Sequence, residues 1–159
     1  MSDSEIFVEN YLGAAKILAL ENYLVAAKKY LSYKKKDLDY AHLKVVQALR
    51  RVMDASPENA KKAHIHLDNC VKNENDCFWC VESAVKRVEY AHKKMLIFVK
   101  RTTGVHIKTV VEALYVSDWN IKEAIKWIEQ IELEKLHFTN PHIIHQTKGG
   151  NFIWLHRSY

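Results

Sequence analysis

Apolar side chains recur at steps of three and four residues along most of this chain, up to about position 133. That spacing places them on one face of an α-helix, and such a face must be buried against another helix. Only four Gly and two Pro interrupt the 159 residues. Because so few residues break helices, the sequence predicts an all-α protein rather than a sheet with many turns.

Polar clusters divide the first hundred residues into four predicted helices. Lys34, Lys35 and Lys36 form the first predicted turn, and the polar run at 73–76 forms the third. Between them, Ser56 and Pro57 supply a helix start, with Ser as the N-cap and Pro at the first helical position. The predicted helices span about 4–33, 38–52, 57–71 and 77–101. Short connections favour antiparallel neighbours, as a helical bundle or as stacked helical hairpins.

The positive charge of the chain suits an anionic partner. A formal net charge of +5 is compatible with nucleic acid, an acidic protein or a membrane surface. The basic pairs, such as Lys86 with Arg87, lie mostly where helical spacing puts solvent, and no aromatic stacking pattern accompanies them. A solvated helix face is therefore favoured over a nucleic-acid surface.

The cysteines and the first residues favour an intracellular protein. Three Cys is an odd number, and the chain begins Met-Ser-Asp-Ser-Glu without a basic-then-apolar leader. We expect a mitochondrial or cytoplasmic protein rather than a secreted one. The most apolar stretch, 11–27, contains Lys16 and Glu21, so it predicts a buried helix and no transmembrane segment.

Two short helices joined by a polar turn are predicted between residues 107 and 128. Gly104 ends the preceding helix, since Gly tolerates the left-handed conformation that closes one. Asn120 is the predicted N-cap of the second short helix. The predicted buried stripes are Ile107, Val110, Val111 and Leu114 in the first helix, and Ile121, Ala124, Ile125 and Ile128 in the second.

This segment resembles a ubiquitin-associated (UBA-like) three-helix domain over residues of about 98–133. Within that group it is most similar to the N-terminal module of elongation factor Ts. The matching positions are Thr103-Gly104, Ala113-Leu114, Asn120-Ile121, Ala124-Ile125 and Trp127. The resemblance implies a three-helix fold and a protein partner, either ubiquitin or a GTPase. The stretch from Tyr33 to Ala60 also resembles a tetratricopeptide hairpin weakly.

At the partner-facing positions, the chain differs both from ubiquitin-binding domains and from the elongation factor Ts module. Thr103-Gly104-Val105 replaces the Met-Gly-Phe/Tyr loop of ubiquitin-binding domains, and His106 replaces a second Gly of the elongation factor. About thirty residues follow the module, so we do not expect the nucleotide-exchange core of that factor. The predicted partner-binding residues are Thr103, Gly104, Val105, His106, Trp119 and Trp154.

The last residues predict a docking tail. Two apolar runs, 143–144 and 152–155, flank Gly149 and Gly150, which suggests a short β-hairpin-like tail. Such a pair of strands is marginal alone in water, so we expect it to pack on a partner.

One cluster of potential metal ligands appears, at His66, Cys70, Cys77 and Cys80. A hairpin between the two pairs would bring four ligands onto one tetrahedral zinc. Alternatively, the three thiols lie on or beside core stripes and act as small apolar residues. Cys77 and Cys80 also have the spacing of a redox pair at a helix N-terminus, which would lower the pKa of the first thiol.

The sequence therefore predicts a non-catalytic interaction protein without a cofactor. Its expected parts are a helical bundle or hairpin region at 1–97, a UBA-like domain at 98–135 and a docking tail at 136–159. No nucleophile stands beside a His in a recognisable arrangement. The leading hypothesis is an adaptor or accessory subunit of a larger assembly, organellar or ribosome-associated. The alternatives are a free ubiquitin- or GTPase-binding adaptor and a small zinc protein.

Overall fold

The computed structural model describes residues 3–139, and in that range the structure is helical with no strand. The four helices are α1 (Asp3–Asp54), α2 (Ala60–Thr103), α3 (Ile107–Val116) and α4 (Ile121–Thr139). The all-α prediction is confirmed, while the predicted hairpin-like tail falls almost wholly outside the described residues. Among these four helices, none has the length and apolarity needed to cross a membrane.

The first two helices are much longer than predicted, at 52 and 44 residues. The predicted turns at 34–36 and 73–76 are wrong, because α1 and α2 continue through them. Lys is a good helix former, and the step from Leu31 through Lys34 to Leu38 keeps the three-four spacing of the buried stripe. Glu74 does the same between Cys70 and Cys77. Polar residues that preserve the phase of the stripe therefore do not end the helix.

An unbroken heptad repeat runs through each long helix, as in a coiled coil. The seam residues alternate at steps of three and four, and each of them is buried or half-buried. Those of α1 are Ile17, Leu20, Leu24, Ala27, Leu31, Lys34, Leu38, Ala41, Val45, Ala48 and Val52. Those of α2 are Ala60, Ala63, Leu67, Cys70, Glu74, Cys77, Val81, Ala84, Val88 and Ala91.

The chain divides into two compact units, the first at residues 1–93 and the second from residue 94. In the first unit, α1 and α2 form an antiparallel hairpin closed by the loop between Asp54 and Ala60. Three contacts fix the register. Arg51 Nη1 lies 3.4 Å from His66 Nε2, His42 Nδ1 lies 2.8 Å from Glu74 Oε2, and the guanidinium of Arg87 lies 4.2 Å from the ring centre of Tyr30. Residue numbers that increase along α1 are paired with residue numbers that decrease along α2, as expected for antiparallel helices.

The second unit contains the end of α2 together with α3 and α4. Its buried residues are Met95, Val99, Val110, Ala113, Leu114, Ile121, Ala124 and Ile128, each at most 1% exposed. Gly104, at φ +71°, donates its N–H to the Lys100 carbonyl at 2.8 Å, so the predicted helix end is confirmed. The predicted N-cap is confirmed as well, since Asn120 Oδ1 accepts the N–H of Glu123 at 3.0 Å.

The turn between α3 and α4 is a Schellman motif built without glycine. Trp119 donates its N–H to the Leu114 carbonyl at 2.7 Å, and Asp118 donates to the Tyr115 carbonyl at 3.2 Å. Asp118 and Trp119 both have positive φ, at 51° and 61°. This turn fixes the direction in which α4 leaves α3, and with it the face that α3 exposes.

We expect Lys35→Pro to destabilise the first unit by about 3 kcal/mol or more, because Pro removes a backbone hydrogen bond inside a helix and clashes with the preceding turn. The free energy of unfolding is measured by urea denaturation, with circular dichroism as the signal. The matched control is Lys35→Ala, which removes the same charge and should change stability by less than about 0.5 kcal/mol. Equal stability of the Pro and Ala variants would mean that the chain turns at 34–36.

Acidification should weaken the first unit through His92. Burial, and after it the charge of Lys28, lowers the pKa of His92 below its ordinary 6.5. Between the lowered value and 6.5, the unfolded chain binds a proton that the folded chain does not, so stability falls as the pH falls through that window. The melting temperature should decrease less between about pH 7.5 and pH 5.5 in His92→Gln than in the native chain. An identical decrease in both proteins would contradict this assignment.

Candidate protein-interaction surface

The second unit exposes an apolar row along α3, formed by Ile107, Val111 and Tyr115. These residues are four apart, so they lie one above another on the same side of the helix. Their side chains are 41%, 42% and 78% exposed. We call this row the α3 stripe. An exposed apolar row on a well-packed helix is typical of a surface that binds another protein.

The position of the α3 stripe corrects part of the sequence prediction. Ile107 and Val111 were expected to be buried together with Val110 and Leu114. In the structure α3 buries Val110, Ala113 and Leu114, a set centred about one quarter of a turn away from Ile107 and Val111. Both apolar rows fit helical spacing, and only packing against α4 decides which is covered.

The predicted loop of Thr103, Gly104, Val105 and His106 lies immediately before the α3 stripe. Thr103 Oγ1 donates to the Val99 carbonyl at 2.8 Å, and Lys100 Nζ donates to the Val105 carbonyl at 2.6 Å. His106 is the N-cap of α3, with Nδ1 accepting the N–H of Lys108 at 3.1 Å. Gly104 and His106 are exposed, whereas Thr103 and Val105 are half-buried. The hydrogen bonds hold the loop in one conformation beside the first residue of the stripe.

The two predicted aromatic contacts have different outcomes. Trp119 is half-buried in the Schellman turn after α3. Trp154 lies outside the described residues. Tyr115, which is not among the predicted contact residues, is the most exposed member of the α3 stripe. Its four-residue spacing from Val111 was the available signal.

A shallow groove of about 510 Å³ lies where α3 ends and α4 passes it. Val116, Trp127 and Ile131 supply its apolar lining, and Glu123 and Lys126 form an ion pair at its edge, with Nζ 3.5 Å from Oε1. Val116 is 63% exposed. The groove therefore extends the apolar surface of this unit beyond the α3 stripe.

The four predicted zinc ligands are not brought to one point. His66 Nε2 lies 3.6 Å from Cys70 Sγ. Cys77, however, lies seven residues further along the same continuous helix, or about 10 Å by the rise of an α-helix. The predicted hairpin between the pair His66 and Cys70 and the pair Cys77 and Cys80 is absent, because α2 is continuous through all four residues. In the part of the chain that the structure describes, no group of three or more His, Cys, Asp and Glu is placed to hold a metal ion.

The redox hypothesis for Cys77 and Cys80 also assumed a helix start that the structure lacks, because Cys77 is in the middle of α2. Burial, followed by the charges of Asp37, Cys80 and Asp76, raises the pKa of the Cys77 thiol. The prediction of a lowered pKa is therefore wrong. Cys77 and Cys70 are half-buried and lie on the seam, as the apolar alternative expected, whereas Cys80 is exposed.

Cys80 should react fastest with a thiol reagent at about pH 7.5, because it is exposed and Cys77 holds its proton more tightly. The measurement is the time course of Ellman's reagent with the folded chain. Cys80→Ser should remove the fastest phase, and Cys77→Ser should leave it. Loss of the fastest phase in Cys77→Ser alone would contradict this order.

No family model, curated protein or solved structure matches this chain.

Proposed function

We propose that this chain is a non-catalytic protein-interaction adaptor or an accessory subunit of a larger assembly, and that it binds its protein partner through the α3 stripe. The observation that carries the proposal is the exposure of three apolar side chains in a row on a helix whose adjacent face, formed by Val110, Ala113 and Leu114, is fully buried. Water contact with such a row is unfavourable, and a partner that covers it gains the free energy of burial.

The geometry of the α3 stripe favours a partner with an apolar groove. Anchors at four-residue spacing along a helix are the pattern by which one helix docks into a groove of another protein. Tyr115 is suited to be the main anchor, since Tyr is enriched among the residues that dominate binding energy. Lys108 and Glu112 lie beside the stripe on the same helix, so the partner should offer polar groups at the rim of its groove.

The rigidity of the loop before α3 supports the same site. Three hydrogen bonds fix the backbone between residues 100 and 108, so little conformational entropy is lost there when a partner binds. A partner that covers Ile107 also meets the exposed His106. We propose that these two residues form the edge of the bound surface.

A free ubiquitin- or GTPase-binding adaptor is the second candidate. The resemblance of residues 98–133 to UBA-like domains and to the elongation factor Ts module favours it. The net charge of +5 and the translation-factor resemblance favour an organellar or ribosome-associated assembly for the first candidate. Both candidates require the protein to be intracellular and both use the second unit as the binding part.

The test is site-specific photo-crosslinking in the native extract, with a photoreactive phenylalanine replacing Tyr115 in the full chain. We expect one dominant partner at this position. Its purified form should then bind the chain, and Val111→Ser should weaken that binding by at least about tenfold, the loss typical of a central interface residue. Isothermal titration calorimetry measures the affinity.

The matched control places the same photoreactive residue at Met53, which is 82% exposed in the first unit. Equal yields of the same product from both positions, or unchanged affinity of Val111→Ser, would overturn the proposed site. Addition of purified ubiquitin, or of a translational GTPase, as a competitor separates the two candidates. Competition by either protein favours the free adaptor.

A further inference from the structure

A cleft of about 470 Å³ lies at the tip of the hairpin in the first unit, where α1 ends and α2 begins. Its charged lining comes from Arg50, Arg51 and Asp54 of α1 and from Lys62 of α2, and Asn59 of the connecting loop borders it. The cleft is separate from the α3 stripe, and neither the predicted partner-binding residues nor the proposed function uses it.

The cations of this cleft lack acidic partners. Among the described residues, Arg50, Arg51, Lys62 and Asp54 take part in no ion pair. Arg51 instead contacts His66 Nε2 at 3.4 Å. Arg50, Arg51 and Lys62 give the lining three positive charges against the one negative charge of Asp54, and the excess is two positive charges.

An excess of two positive charges matches a phosphate monoester. That group carries about −1.5 to −2 charge near pH 7 and has three acceptor oxygens. One Arg side chain can donate two parallel hydrogen bonds to two phosphate oxygens. Two Arg residues line the cleft. The first turn of α2, at Ala60, adds backbone N–H groups at the same end of the hairpin, where a helix favours an anion.

The shape of the cleft favours an anion carried by a protein. The cleft is open to solvent, whereas sites for small molecules bury most of their ligand. Single-stranded nucleic acid is bound by aromatic stacking along a basic track, and no Phe, Tyr or Trp lines this cleft. Its charged lining is confined to Arg50, Arg51, Asp54 and Lys62 at the end of the hairpin.

We propose that the hairpin-tip cleft binds the phosphate group of a phosphorylated segment in a protein partner. This proposal rests on the proposed function in one respect, namely that the phosphate belongs to a protein partner. Binding in the first unit would make the association depend on the phosphorylation state of the partner.

The test uses the full chain, labelled with ¹⁵N, and two probes at constant ionic strength. Inorganic phosphate should produce saturable shifts in the amide resonances of residues 50–66, and chloride should not. A synthetic peptide with one phosphoserine between Ala and Leu residues should bind at least about tenfold tighter than its unphosphorylated form, as expected for charge-assisted hydrogen bonds.

Two substitutions and two matched controls assign the site. Arg51→Gln and Lys62→Gln should each weaken phosphopeptide binding by about tenfold. Arg101→Gln and Lys36→Gln remove exposed cations elsewhere and should leave binding unchanged. Circular dichroism of each variant checks that the helices persist. Val111→Ser, which tests the α3 stripe, should also bind the phosphopeptide normally, so failure of one site is distinguishable from failure of the other.

Three outcomes would overturn the proposal. Equal affinity for the phosphorylated and unphosphorylated peptides would mean that the cleft does not bind the phosphate group. Equal loss of binding in the control variants means that total charge, not this cleft, is responsible. Tighter binding of a twelve-nucleotide single strand, with a salt dependence that corresponds to several phosphates, assigns the cleft to nucleic acid instead.

Discussion

The antiparallel pairing of α1 with α2 depends on the continuous phase of their seam residues. A seam that repeats at three and four residues stays on one side of a helix only if no residue is inserted or lost. Both helices keep this phase through their polar stretches, so both remain straight enough to pair along the first unit. The pairing brings Arg51 beside His66 and His42 beside Glu74, although these partners are 15 and 32 residues apart in sequence. The cleft at the hairpin tip exists because this register places the end of α1 against the start of α2.

Two polar residues, Lys34 and Glu74, lie within the seam, and each has a polar partner. Lys34 is paired with Asp37 on its own helix, with Nζ 3.8 Å from Oδ2, and Glu74 is paired with His42 on the other helix. A shift of either helix by one heptad would separate Glu74 from His42, because the two residues face each other only in this register. Side-chain pairs as exposed as these add little stability. In coiled coils, single polar residues within a seam set the alignment of the helices.

The sequence predicted those features that local chemistry determines. Helical content followed from spacing, and the ends at Gly104 and Asn120 followed from the backbone preference of Gly and the side-chain acceptor of Asn. The predicted turns at 34–36 and 73–76 are wrong because Lys34 and Glu74 continue the seam, so both polar stretches remain helical. Packing between distant segments decides which side of α3 is exposed and which residues of α1 and α2 line the cleft. No spacing within one helix encodes those contacts, so only the structure places the α3 stripe and the cleft.

The alanines of the seam have a thermodynamic consequence. Ala27, Ala41, Ala48, Ala84 and Ala91 are at most 5% exposed, yet each covers only a methyl group. A hairpin with Ala at seven of its twenty-one seam positions exposes less apolar surface on melting than one with Leu at the same positions. The heat-capacity increment of its unfolding is therefore small per residue. A small increment flattens the curve of free energy against temperature, so the hairpin should lose little of its stability on cooling.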